Sequence, residues 1–338
     1  MTLPPHSRTL LAADLPVCRI LNGMWQVSGA HGAIDPARAI DAMFACHDAG
    51  FTSWDLADHY GPAEDLIGAF RRQFAARRGA ERLGEIQAFT KWVPHPGPMT
   101  RRVVEEAVAT SLRRMNADRL DLLQFHWWDY ADRRYLDALR HLADLRAEGR
   151  IRHLGLTNFD TERLALIAGH GIPVVSNQVQ YSLVDQRPAR RMADWCREHG
   201  VSLLTYGTVL GGLLSENHLG RAEPGRADLG TASLRKYKQM IDAWGGWALF
   251  QELLSAVKQI ADRHRVGIAA IAIRAILDRA AVAGVIIGAR LGVSEHIAAN
   301  ARVFDIALDT EDEASLVPIL AKGRDLMRVI GDCGDEYR

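Results

Sequence analysis

The chain has 338 residues, 48% of them hydrophobic and 24% charged, with a formal net charge of zero. This is an ordinary soluble globular composition, and one α/β barrel of roughly 250 residues with insertions would use the whole length. Neutrality gives no electrostatic case for nucleic acid or an anionic membrane surface, and no apolar run is long enough to span a bilayer. In chain order, Ile20 to Trp25 reads as the first strand, and Pro36 to His47 as a helix with Asp35 as N-cap and Gly50 beyond its end. A second strand runs from Phe51 to Leu56, followed by a helix from about Pro62 to Arg77. The third runs from Ile86 to Lys91, followed by a helix from about Thr100 to Met115. The fourth ends at His126, and Leu136, Leu139, Leu142 and Leu145 mark a helix face before Gly149. Ile151 to Leu156, Val174 to Gln178 and Val201 to Tyr206 are three more strands, with helices over Thr161 to Ala168 and Arg187 to His199. The stretch from Gly207 to about Gly246 is rich in glycine and charge and reads as a functional or mobile loop. Helices are expected over Ala248 to His264 and Ile268 to Arg279, an eighth strand over Val282 to Ile287, and helices over Ser294 to Arg302 and Glu311 to Met327. Eight strand and helix pairs without a low-complexity linker predict one (β/α)8 barrel domain over residues 1–338.

Three of these strands end in polar residues, at the rim where such barrels collect their chemistry. Trp54-Asp55-Leu56-Ala57-Asp58-His59-Tyr60-Gly61 passes from an apolar strand to an acid, an imidazole and a phenol, and the next two strand ends carry Lys91 and His126. Asp55, Tyr60, Lys91 and His126 make a proton-transfer set. A phenol has a pKa of about 10 and needs a neighbouring cation to act near neutrality; Lys91 is that cation and Asp55 its partner. Taken singly, Asp55 with Lys91 reads better as a structural ion pair and His126 as a hydrogen-bonded core residue; the four positions together favour catalysis. No Gly-x-Gly-x-x-Gly follows a strand, so a dinucleotide reading does not rest on a Rossmann unit. The four cysteines, Cys18, Cys46, Cys196 and Cys333, have no Cys-x-x-Cys spacing and suit a reducing compartment. The first three read as buried filler, and Cys333 as either an inert thiol or an exposed, oxidisable one. The start, Met1 to Arg8, shows no secretory h-region, so a cytoplasmic location is expected.

With Gly155-Leu156-Thr157-Asn158-Phe159, Asn177-Gln178-Val179-Gln180-Tyr181-Ser182 and Ile287-Gly288-Ala289-Arg290, these residues resemble the aldo-keto reductases from about Ile20 to about Phe304, with the motifs in family order. The resemblance implies NADPH-dependent reduction of an aldehyde or ketone, possible in both directions, with Tyr60 as proton donor and His126 bonded to the carbonyl oxygen. It implies an extended nicotinamide dinucleotide across the rim: Thr157, Asn158 and Gln178 at the carboxamide, Tyr206 stacked on the ring, and Gly207, Val209 and Gly211 at the pyrophosphate. Gly288, Arg290 and Ser294 would take the 2′-phosphate and Asn300 the adenine. The sequence departs from the family in two places. Gly207-Thr208 replaces a usual Ser-Pro pair, and two extra residues lie between Arg290 and Asn300, which leaves Ser294 and His296 loosely placed. Asn158 as a helix cap and Gln178 in a turn are the bland alternatives. The resemblance also implies an N-terminal hairpin, Arg8 to Cys18, across the lower end of the barrel.

Arg290 offers a planar donor fork, and no acid lies between Ile286 and Ser294, so NADPH is preferred, with NADH possible. Trp25, Trp92 and Trp127 are expected to line a pocket for a flat or apolar carbonyl substrate; Trp128 reads equally as rim cover. Trp244 and Trp247 are left between a substrate and a partner subunit, and homo-oligomerisation stays open. Two other classes compete: a cofactor-binding regulatory module like the potassium-channel β subunits, and a metal-dependent barrel hydrolase using Asp58, His59 and His126. The hydrolase ranks last because the first strand has no His-x-His, and no metal site is assigned.

Overall fold

The structure, a computed structural model, describes residues 3–29, 32 and 34–337. Met1 and Thr2, where the reading of a missing leader begins, lie outside the described residues. The strands are β1 Arg8–Ala12, β2 Leu15–Cys18, β3 Ile20–Gly23, β4 Ser53–Asp55, β5 Gln87–Trp92, β6 Leu120–Phe125, β7 Ile151–Thr157, β8 Ser176–Gln180, β9 Ser202–Tyr206 and β10 Val282–Gly288. β3 to β10 pair in parallel in chain order, and β10 returns to β3, closing the eight-stranded barrel the sequence predicts. β1 and β2 pair antiparallel as the N-terminal hairpin.

Strand alternation sorts the side chains into two cores. Leu21, Phe89, Leu122 and Leu204 point inward and pack with Leu11, Leu15 and Val17 of the hairpin, which therefore plugs the barrel's lower end. The hairpin is pinned there by Asp14, whose carboxylate takes Arg152 Nε at 2.8 Å and pairs with His153 Nε2 at 2.6 Å. These two partners hold the Asp14 carboxyl down at about 2. The outer residues meet the surrounding helices in a second, larger cluster that includes Trp54, Phe70 and Phe74.

Helix Pro36–Asp48 begins as expected at Asp35, whose side chain accepts from the Ala37 and Arg38 amides at 2.8 and 3.3 Å. Three segments differ most from expectation. The helix expected over Arg187 to His199 is a 3-10 turn, Arg187–Ala189, followed by a helix over Met192–Glu198. The break follows from Pro188 and from the Arg187 side chain, which is tied back to Asp185. The long segment after β9 carries, besides short turns, a 13-residue helix, Ala232–Trp244, capped by Thr231. Its buried Tyr237, Met240, Ile241 and Trp244 have amphipathic helical spacing, which the glycines and charges upstream obscured. The terminal helix divides into Thr310–Leu320 and Leu326–Val329. Gly323 sits in the gap against Trp244; a Cβ there would lie 1.9 Å from the indole nitrogen.

Trp244 and Trp247 are thus packing residues, and Trp247 Nε1 donates to the Arg221 carbonyl at 2.9 Å. Cys333 is buried, which removes the exposed-thiol alternative; burial pushes its pKa well up, as it pushes Cys18 to about 11 and Cys46 and Cys196 to about 12. Among the described residues, no helix is long and apolar enough to cross a membrane.

Candidate active site

Parallel register brings the polar strand ends to one rim. Asp55 stands beside Phe89 on β5, and Lys91 lies two residues further along the same inward face. Lys91 Nζ therefore reaches Asp55 Oδ2 at 2.6 Å and the Leu56 carbonyl at 2.8 Å, with both side chains buried. The other Asp55 oxygen accepts from Gln178 Nε2 at 2.7 Å and from Gln124 Nε2 at 3.1 Å. Gln178 Nε2 also donates to Gln124 Oε1 at 2.8 Å. Gln124 was missed in the sequence, although it lies two residues before His126 on an inward-facing strand.

Tyr60 comes into place through the turn after β4, where the Asp58 amide donates to the Lys91 carbonyl at 3.0 Å and Asp58 Oδ2 accepts from the Val93 amide at 3.2 Å. Lys91 Nζ lies 4.8 Å from the centroid of the Tyr60 ring, and Trp25 meets that ring edge-on at 5.0 Å. Burial raises the Tyr60 pKa well above its ordinary value, and the negative charge of Asp55 adds to this. The expected lowering by Lys91 is thus not found. Its ammonium is engaged by Asp55 and Leu56 beneath the ring, and desolvation of the phenol dominates. Burial also lowers the Lys91 pKa, against the opposing pull of Asp55.

His126 follows β6 with its backbone amide donating to the Trp92 carbonyl at 3.0 Å. Trp128 stands edge-on to its ring at 4.3 Å. Two pocket assignments are corrected by the alternation. Lys91 and His126 face the rim, so Trp92 and Trp127 turn outward into the buried layer under the helices. Trp92 packs on Phe125 at 5.5 Å, and Trp127 donates to the carbonyls of Asp129 and Asp132 at 2.7 and 2.9 Å. The walls near Tyr60 and His126 are Trp25 and the half-exposed Trp128.

The remaining expected residues lie on the following strand ends. Thr157 Oγ1 donates to the Gln178 carbonyl at 3.2 Å. Asn158 has φ +58 and is no helix cap, that place being taken by Asp160; its Oδ1 accepts from the Tyr206 hydroxyl at 2.8 Å. Beyond Tyr206, Gly207 has φ +73 and Gly211 φ +66, and the Val209 carbonyl accepts from the Gly212 amide at 2.9 Å. The Thr208 hydroxyl is turned to the Tyr181 carbonyl at 2.9 Å. Gly288, Arg290, Ser294 and Asn300 line a cavity of about 270 Å³ between β3, helix Pro36–Asp48 and helix Ile297–Arg302. Glu295 and His296 share this cavity, and the Glu295 carboxylate also accepts from the Ile297 amide. The acid-free stretch therefore ends one residue before a carboxylate.

A second network was also missed, because it depends on the far end of the chain. The buried Arg187 donates twice to Asp185, at 2.9 and 2.8 Å, and to Glu336 Oε2 and the Asp332 carbonyl, each at 2.9 Å. Glu336 Oε1 and the Tyr337 hydroxyl in turn meet the Tyr206 hydroxyl at 3.4 and 3.2 Å. Asp58 and His59, considered as metal ligands, pair with each other at 2.9 Å. Among the described residues, no three His, Cys, Asp or Glu side chains are grouped to hold a metal ion.

The chain is 28% identical over 260 residues to flagellar radial spoke protein 5 of Chlamydomonas reinhardtii, a match covering 66% of this chain and 49% of that protein. It is 24% identical over 226 residues to the NADH-specific methylglyoxal reductase of Escherichia coli (strain K12), covering 60% of this chain and 67% of the reductase. The chain thus spans about half of the first relative and two thirds of the second. Among solved structures, a glycerol dehydrogenase of Gluconobacter oxydans superposes with a TM-score of 0.76 at 22% identity, over 97% of this chain and 98% of that one. The family model for the aldo/keto reductase family matches residues 19–320, from the edge of the first barrel strand to the end of helix Thr310–Leu320. On that match, and on the closed barrel beneath it, the chain belongs to the aldo/keto reductase family.

Proposed function

We propose that the protein reduces an aldehyde or ketone to an alcohol, reversibly, with NADPH preferred and NADH usable. The observation that carries this reading is the buried Asp55–Lys91 pair set directly against the Tyr60 ring, with His126 on the same rim. A nicotinamide dinucleotide supplies the hydride when bound. The residues present suit such a group. Both Gln178 amide protons are engaged by Asp55 and Gln124, so its carbonyl oxygen is the end that accepts a carboxamide N–H. Asn158 and Thr157 stand beside it, and Tyr206 ends β9 with a ring for stacking. Gly207 to Gly211 present backbone amides to a pyrophosphate. The cavity at Gly288, Arg290, Ser294 and Asn300 would take the adenosine end.

Within this site Tyr60 holds a proton and gives it up late. Burial keeps the phenol protonated near neutral pH, the form that can donate to an alkoxide. The phenolate left behind is stabilised by Lys91, whose charge Asp55 maintains against desolvation. His126 donates to the carbonyl oxygen and orients it toward Tyr60. Trp25 and Trp128 provide flat walls that exclude water and suit an apolar or aromatic carbonyl compound. Arg290 favours the 2′-phosphate by bidentate donation. Glu295 in the same cavity, and a relative whose name specifies NADH, are why NADH is retained beside it.

The test is a panel of aldehydes, ketones, pyridoxal and sugars, followed by loss of reduced-nicotinamide absorbance with wild type and Tyr60→Phe. Turnover of at least one carbonyl is expected, with a fall of at least ~10² in the variant and nearly unchanged NADPH affinity. A variant that retained most activity would remove Tyr60 as the acid. Tight nucleotide binding without turnover across the panel would favour the regulatory module.

A further inference from the structure

Above Tyr206, the residue proposed to stack on the nicotinamide, the rim is filled by the protein itself. Lys236, on helix Ala232–Trp244, places its ammonium 4.9 Å from the Tyr206 ring centroid and 4.3 Å from that of Tyr337, whose hydroxyl it also bonds. The Tyr337 ring reaches across to His126, at 6.3 Å and nearly perpendicular. On the pyrophosphate side, Tyr237 from the same helix presses on the glycine loop. A Cβ on Gly207 would fall 2.7 Å from the Tyr237 ring, and one on Gly211 3.0 Å from it. The phenol thus takes up the room that the glycines leave open.

This cover is anchored outside the site. The Asp332 carboxylate accepts from the Thr161 amide at 3.0 Å and from Arg191 at 3.1 Å, and Glu336 is held by Arg187. Burial pushes the Glu336 carboxyl up, but Arg187 and Lys236 outweigh it and hold the group below its ordinary value. Glu336 is therefore an internal anion lying near two cations. If it withdraws, Arg187 keeps both bonds to Asp185, and Lys236 is released toward the groove. A dinucleotide phosphate can then replace the tail's contact with Lys236, which offsets the cost of opening.

We infer that the C-terminal segment Asp335–Tyr337, locked by Lys236 and Arg187, is an internal competitor for the nicotinamide half of the cofactor groove and must withdraw before the dinucleotide binds. The inference rests on the cofactor reading above. A closed population taxes affinity in proportion to its weight, so loosening the tail strengthens binding.

The test titrates wild type, Tyr337→Ala and Glu336→Gln with NADP⁺ and NAD⁺, read by tryptophan fluorescence, with hydrogen exchange measured on the wild-type tail. About tenfold tighter binding is expected for Tyr337→Ala, the effect of freeing a site open roughly a tenth of the time. A smaller gain is expected for Glu336→Gln. Amides of residues 332–337 in wild type should exchange faster at saturating cofactor. Should Tyr337→Ala fail to fold, Tyr337→Phe keeps the ring, removes the hydroxyl bonds and should still bind more tightly. Unchanged or weaker binding in the folded variants, or tail amides protected by cofactor, would overturn the competitor while leaving the cofactor reading intact. If wild type and variants alike bind neither nucleotide, both fall together.

Discussion

Lys91 and Asp55, 36 residues apart, meet because their strands are neighbours in a parallel barrel, and strand register alone brings them together. Arg187 and Glu336, 149 residues apart, meet only because the end of the chain folds back over the rim, with no sheet to enforce it. The first region is held by backbone ladders on both sides, the second by charges taken out of water. The contrast teaches that the ion pair of a site floor and the ion pair that anchors its cover can both be buried and yet differ in what would release them. The floor can move only with the barrel. The cover can leave by exchanging its contacts for others of like chemistry.

The largest expected effect breaks the cover's anchor. Arg187→Leu leaves Asp185 and Glu336 as buried carboxylates without their cation, which should cost about 3–5 kcal/mol of unfolding free energy, measured by urea denaturation. A loss well under 1 kcal/mol would mean that the cover detaches alone and contributes little to the barrel. On the floor, Lys91→Met should lower turnover by at least ~10², because the phenolate loses its neighbouring charge. In the proposed mechanism carbonyl reduction needs Tyr60 protonated and Lys91 charged, so the wild-type rate should fall as pH rises. With the Lys91 pKa lowered by burial, that fall should begin below the usual lysine value of about 10.4. A pH–rate profile of Lys91→Met that kept the same alkaline limb would assign the limb to another group.

Arg290→Ala probes the other end of the groove. It should weaken NADPH by about 1.5–3 kcal/mol and scarcely alter NADH, by parallel fluorescence titrations; equal losses would show that Arg290 does not read the 2′-phosphate. The smallest effect is expected at the bottom of the barrel. Asp14 is half exposed, so its pairs with Arg152 and His153 are screened and Asp14→Asn should cost under ~1 kcal/mol at neutral pH. The Asp14 pKa is depressed from 3.8 to about 2 in the folded state. Its stabilisation is therefore present above pH 3.8 and lost as pH falls through about 2, where melting curves of variant and wild type should converge.

The barrel was legible because most strands carry or adjoin an apolar run, most helices keep their own periodicity, and glycine or proline punctuates many of the joints. Helix Ala232–Trp244 has the same signature and went unread only because the segment before it is glycine-rich. The division of the pocket tryptophans followed from alternation already present in the sequence, since a residue next to an inward Lys91 or His126 must turn outward. Gln124 was readable by the same rule.

Composition, periodicity and the order of polar strand ends were enough by themselves to determine the barrel and to put Asp55, Lys91 and His126 at neighbouring strand ends with Tyr60 in the turn after the first, because these depend on local propensity and on a register that parallel pairing repeats. The balance of forces on Tyr60 depended on the tertiary structure, since desolvation is a property of everything packed around the phenol. The cover was decided there too. Arg187, Lys236 and the neighbouring Glu336 and Tyr337 come from three separate elements with no common spacing, and only the folded chain brings their charges and rings together over Tyr206.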